Sequence, residues 1–154
     1  MTIQEETATL RSIPMFATID MARLRLLSFT SERVSFMPGE SFIRQGEPGD
    51  CAYVILEGEG EVLIDGPAGP MTVGQVGRNG MVGEVSLLLH GPRTATIRAK
   101  TRMCCLQLSR EVFETMVREF PDFAVAVMRD LAARLEQTTR KVQEVLQSQR
   151  ITMP

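Results

Sequence analysis

The sequence has one histidine, His90, and three cysteines, Cys51, Cys104 and Cys105, with no C-x-x-C spacing. A structural zinc or iron–sulfur site normally draws on about four such ligands, so neither is expected. An odd number of cysteines also argues against a disulfide framework. Cys104 and Cys105 are adjacent in a β-prone run, so they should point to opposite faces as small buried hydrophobes. No wholly apolar stretch is longer than Phe123 to Met128, which falls far short of the roughly 18 residues of a membrane helix. Glu5 and Glu6 stand near the N-terminus and no apolar secretory core is visible, so the expected location is the cytoplasm. Lys plus Arg is 17 against 19 Asp plus Glu, a net charge of −2. That excludes a bulk basic surface for nucleic acid but leaves room for a local positive pocket. No nucleophile–base–acid set can be assembled, and the chain reads as a non-enzyme.

What is present is enough for one domain. The chain has 154 residues, 44% of them hydrophobic and 23% charged, and can bury a core without staples. It divides into a helical segment (1–30), a β-rich block (31–109) and a helical end (110–154). Thr2 with Glu5 fits a capping box, and Asp20 is a plausible N-cap for a helix from Met21 to about Phe29. The middle block alternates short β-prone runs with turns: Val34–Phe36, Phe42–Arg44, Ala52–Leu56, Glu61–Ile64, Thr72–Val76, Ala95–Ala99 and Met103–Leu108. Most of the 12 glycines and 8 prolines fall there, as tight turns require. The expected fold is mainly β with flanking helices: an antiparallel jelly-roll barrel with N-terminal helices, one short internal helix and a long C-terminal helix. Ser109 can cap a helix Arg110–Glu119, and Pro121 can begin the last one. In that helix Met128, Leu131, Leu135, Thr138, Val142 and Val145 recur at a period of 3.5, a coiled-coil seam that predicts a homodimer.

One segment breaks the β pattern. In Met81 to Thr96, a helical turn Glu84–Leu89 sits between two strands. Gly83 allows close backbone approach to a ligand. The start of the turn offers free N–H groups to an anion. Arg93, after Pro92, carries a fork suited to phosphate. Glu84 would repel a phosphate but would accept from a sugar hydroxyl. Phosphate and ribose on one face make a nucleotide.

At these residues the chain resembles the cyclic nucleotide-binding domain superfamily, whose phosphate-binding cassette reads G-E-x-[AS]-L, a short gap, then P-R-[AST]-A. Gly83-Glu84-Val85-Ser86-Leu87 and Pro92-Arg93-Thr94-Ala95 fit it. The resemblance covers roughly Ile13 to Val145. It implies that Arg93 and the backbone N–H groups near Val85, Ser86 and Ala95 hold the cyclic phosphate. It implies that Glu84 and Gly83 hold the ribose 2′-hydroxyl, and that Val62, Val73 and Val82 line the base and sugar pocket. Arg134 to Val142 looks like the corresponding helix of the catabolite activator branch, where hydroxyl residues of both chains meet the purine amino group. Here these would be Thr138 of one chain and Thr139 of the other, with Arg134 also at the site. A hydroxyl at Thr94 can meet a guanine amino group. Two hydroxyls outweigh one, so cyclic AMP is favoured and cyclic GMP tolerated.

The activator branch continues into a DNA-binding domain, and this sequence stops at Pro154. The expectation is a stand-alone receptor module, or a regulatory fragment of a larger transcription factor or channel, with an unknown downstream effector. Two rival readings are a metal-dependent jelly-roll enzyme, which needs several histidines, and a structural dimer module with a degenerate pocket.

Overall fold

The computed structural model describes residues 3–152. Thr2 and its capping box lie outside them. The chain begins with α1 (Ile3–Arg11), a short 3-10 turn (Pro14–Phe16) and α2 (Met21–Thr30). The side chain of Asp20 accepts from the Arg23 N–H and caps α2 as expected. Eight strands follow: β1 (Glu32–Phe36), β2 (Ser41–Ile43), β3 (Cys51–Glu57), β4 (Gly60–Gly66), β5 (Gly69–Val76), β6 (Met81–Val82), β7 (Thr96–Ala99) and β8 (Met103–Ser109). The short helix α3 (Glu84–Leu89) separates β6 from β7. Ser109 accepts from the Val112 N–H to cap α4 (Arg110–Glu119), and Pro121 opens α5, which runs to Thr152.

The strands form two antiparallel sheets, ordered β1-β8-β3-β6 and β2-β7-β4-β5. The barrel expectation is therefore corrected: the sheets face each other as an open β-roll and do not close. With β2 of three residues and β6 of two, the edges are too short to zip the sheets together. The β4–β5 connection is also tight, although no β-prone run is legible in the sequence between Ile64 and Thr72. Asp65 pairs with Pro70 and Gly66 with Gly69. Proline is tolerated there because β5 is an edge strand.

The first sheet is the middle layer, and β3 shows why it is so apolar. All six residues Cys51 to Leu56 are buried. Ala52, Val54 and Leu56 pack into a helix-covered core with Phe16, Phe113 and Phe123. Cys51, Tyr53 and Ile55 point the other way, into the space between the sheets. A strand covered on both faces reads as a continuous apolar run rather than an alternation. On β8, Cys104 packs against the helical core and Cys105 is buried between the sheets, the opposed arrangement that adjacency in a strand predicts. Burial, with the neighbouring Cys104 thiol, pushes the Cys105 thiol up to about 12, which leaves it inert.

Candidate functional site

The two-residue strand β6 pairs with Tyr53 and Val54 of β3 and delivers the chain to Gly83. Gly83 has φ +88°, the left-handed conformation that glycine adopts at no steric cost. A Cβ there would lie 2.7 Å from Nη1 of Arg93. Gly49 is placed similarly: a Cβ would lie 2.5 Å from Nε of Arg93. The guanidinium thus packs against two stretches of bare backbone. At the far end of α3, His90 takes φ 52° and its N–H closes the helix onto Leu87 and Ser86 carbonyls. The single histidine therefore serves a turn.

Arg93 is 7% exposed. Its Nη1 donates to the Gly83 carbonyl at 2.9 Å and to Ser86 Oγ at 3.0 Å, and its Nη2 to Cys51 Sγ at 3.4 Å. Among the described residues it enters no ion pair. Its backbone is fixed as well: its N–H donates to Glu47 O, and its carbonyl accepts from Gly46 N. Arg110 braces the same loop, donating to Gly49 O at 2.9 Å and to Leu87 O at 3.4 Å.

Glu84 is 1% exposed. Its Oε1 accepts from Arg134 Nη1 at 3.0 Å, while its Oε2 is buried with no hydrogen-bond partner. Arg134 also donates to the Met81 carbonyl and pairs with Asp130 at 2.9 Å. Burial raises the Glu84 carboxyl above its ordinary value of 4.5, and Arg134 pulls in the opposite direction.

These groups border one cavity of about 120 Å³. Of the residues expected from the sequence, Val62, Val82, Gly83, Glu84, Val85, Ser86, Arg93, Thr94, Ala95 and Arg134 line it. Val73 does not. It is half-buried on β5, and its carbonyl accepts from Lys141 Nζ at 2.7 Å. Thr138 and Thr139 are exposed on α5 and are also absent from the lining. Thr139 donates to the Leu135 carbonyl of its own helix. Helical spacing puts Thr138 on the face of Arg134 and Lys141, whereas Leu135 and Val142 share a neighbouring stripe with Met128. Ile43 and Ile97 complete the lining and were not singled out. Their apolar strand positions are indistinguishable in sequence from ordinary core. Gly49 and Arg110 were missed as well, since their contacts span 44 and 61 positions of chain.

An open β-roll thus brings a buried cation, Arg93, and a buried carboxylate, Glu84, to one cavity. A model described as the cyclic nucleotide-binding domain matches residues 33–120, and the chain belongs to that family. It is 26% identical over 135 residues to the CRP-like cAMP-activated global transcriptional regulator of Mycobacterium tuberculosis, covering 86% of this chain and 59% of that protein. The chain therefore spans less than two thirds of that relative's length. Among solved structures it resembles the N-terminal domain of a transcriptional regulator from Streptomyces coelicolor, with 32% identity and TM-score 0.62 over 86% of this chain and 93% of that one. It also resembles the regulatory subunit of a cAMP-independent protein kinase A from Trypanosoma cruzi bound to guanosine, with 25% identity and TM-score 0.75. That match covers 95% of this chain and 50% of the other. Members of the family are regulatory sensors rather than enzymes. Among the described residues no helix is long and apolar enough to cross a membrane, and no cluster of three or more His, Cys, Asp or Glu could hold a metal.

Proposed function

We propose that this chain is a non-enzymatic receptor for a 3′,5′-cyclic nucleotide, with cyclic AMP preferred. The observation that carries this is Arg93, a nine-tenths buried guanidinium with no counter-ion among the described residues. A buried charge without a partner is expensive, and a bound phosphate removes the cost. The first-turn N–H groups of α3 add donors at the same place. The unpartnered Oε2 of Glu84 is free to accept from a ribose hydroxyl. The name of the Mycobacterium relative supports cyclic AMP, as does the Thr138/Thr139 pair, which reaches a purine only if α5 of a second copy is present.

The guanosine-bound relative raises a second reading, a nucleoside site. Guanosine carries no phosphate and would leave Arg93 uncompensated, so the cyclic nucleotide is preferred. Calorimetric titration with cyclic AMP, cyclic GMP and guanosine separates the two. Cyclic AMP should bind best, and Arg93→Ala should weaken it at least tenfold, since one charge-assisted hydrogen bond contributes about 1.5–3 kcal/mol. Arg93→Lys should restore it only in part, because an ammonium lacks the fork. Tight guanosine binding indifferent to Arg93→Ala would overturn the assignment.

A further inference from the structure

One groove lies remote from the cassette. It lies between α2 and α4 and has a volume of about 290 Å³. Leu27, Val112 and Met116 contribute to its apolar floor, and Phe120 closes one end. α2 carries apolar residues on both its buried and its exposed sides. Leu24 and Leu27 are buried inward, while Leu26 and Phe29 are 63% and 70% exposed outward. Of these, Leu26 and Leu27 line the groove, between the exposed Arg23 and Thr30. The α4 rim is acidic: Glu111 and Glu119 line the groove, and neither enters an ion pair among the described residues. Arg23 on the opposite rim is already committed, 3.5 Å from Asp20 and stacked 5.0 Å from the Phe120 ring. The unbalanced charge of the groove is therefore negative.

We propose that this groove docks an amphipathic helix carrying basic residues along one edge of its apolar face. Both walls are helices whose backbone groups are bonded internally, so an extended peptide would find no backbone partners, whereas a helix brings its own. Glu111 and Glu119 are two turns apart, about 12 Å along α4. Lysines or arginines seven residues apart on the incoming helix span about 10.5 Å, close enough for their long side chains to reach both carboxylates. The proposal is independent of the nucleotide reading, because no residue of the cassette lines the groove.

The test uses two synthetic helical peptides with the same leucine face, one flanked by lysines seven residues apart and the other by glutamates. Each is titrated into the isotope-labelled chain and followed by NMR. The lysine peptide should shift the amides of Leu26, Thr115 and Phe120 and bind about fivefold more tightly than the glutamate peptide at low salt. The difference should shrink in 1 M salt. Glu111→Lys with Glu119→Lys, both exposed positions, should reverse the preference. Arg93→Ala should leave it unchanged. Equal binding of the two peptides, shifts elsewhere, or no shifts at all would overturn the proposal.

Discussion

Glu84 and Arg93 are both almost fully buried, and the protein treats their charges differently. Arg93 is satisfied by neutral acceptors alone: a carbonyl, a hydroxyl and a thiol. Glu84 has half its carboxylate on Arg134 and half on nothing. Burial therefore lifts its pKa above 4.5 despite the guanidinium beside it. The sign of the consequence is fixed by linkage. Between the ordinary carboxylate value and the raised one, the folded protein holds a proton that the unfolded chain has released. The ligand-free fold must then lose stability from this group as pH rises through that interval. Glu84→Gln removes the titration, so its unfolding midpoint should vary less with pH above 4.5 than the wild-type midpoint does. Denaturant melts across that range check this, and an unchanged slope in the variant would place the proton elsewhere. The motif made Glu84 and Arg93 legible in the sequence. The orphaned oxygen was not, because it depends on how α3 and α5 approach each other.

The elements around the site differ in how far local signals define them. Asp20, Ser109 and Pro121 announced their helices, because capping is a matter of neighbouring residues. The strand β6 escaped notice, since two residues carry no periodicity and only pairing with β3 makes them a strand. Docking of α5 is likewise a long-range matter. From Leu135 to Gln149 the helix is exposed all round. Beyond the apolar packing of its first half, hydrogen bonds from Arg134 to Glu84 and the Met81 carbonyl, and from Lys141 to the Val73 carbonyl, tie it to the β-roll. Arg134→Ala should therefore loosen the second half of α5, giving faster amide exchange from Leu135 onward. It also strips Glu84 of its one side-chain hydrogen-bond partner among the described residues. A buried polar group left unsatisfied costs about 1–3 kcal/mol, and the low end applies because Arg134 is 34% exposed. Arg134→Lys should recover part of the stability. Unchanged exchange and an unchanged melting midpoint would show that α5 is held by something else.

At the scale of the whole molecule, α5 leaves apolar surface that a single copy does not cover. Met128, Leu135, Val142 and Val145 are each more than half exposed, Leu135 at 69%. Leu131, between them, is half-buried against the helical core. Met128, Leu135 and Val142 repeat at seven residues, the spacing of a two-stranded coiled coil. We infer a parallel two-fold dimer through this stripe, the commonest closed arrangement of identical chains. Facing stripes remove apolar area from water at roughly 25 cal/mol per Å². In that arrangement we infer that Thr139 of one chain and Thr138 of the other approach one nucleotide beside Arg134, which lines the cavity. A nucleotide touching both chains must tighten the dimer, and the dimer must in turn bind nucleotide more tightly than the monomer. Leu135→Glu places a charge in the seam without touching either core, so the variant should fold, sediment as a monomer and bind cyclic AMP more weakly than wild type. Sedimentation velocity with and without cyclic AMP measures both effects. A wild-type monomer at high concentration with nucleotide bound would remove the dimer, and with it the argument for adenine that rests on Thr138 and Thr139.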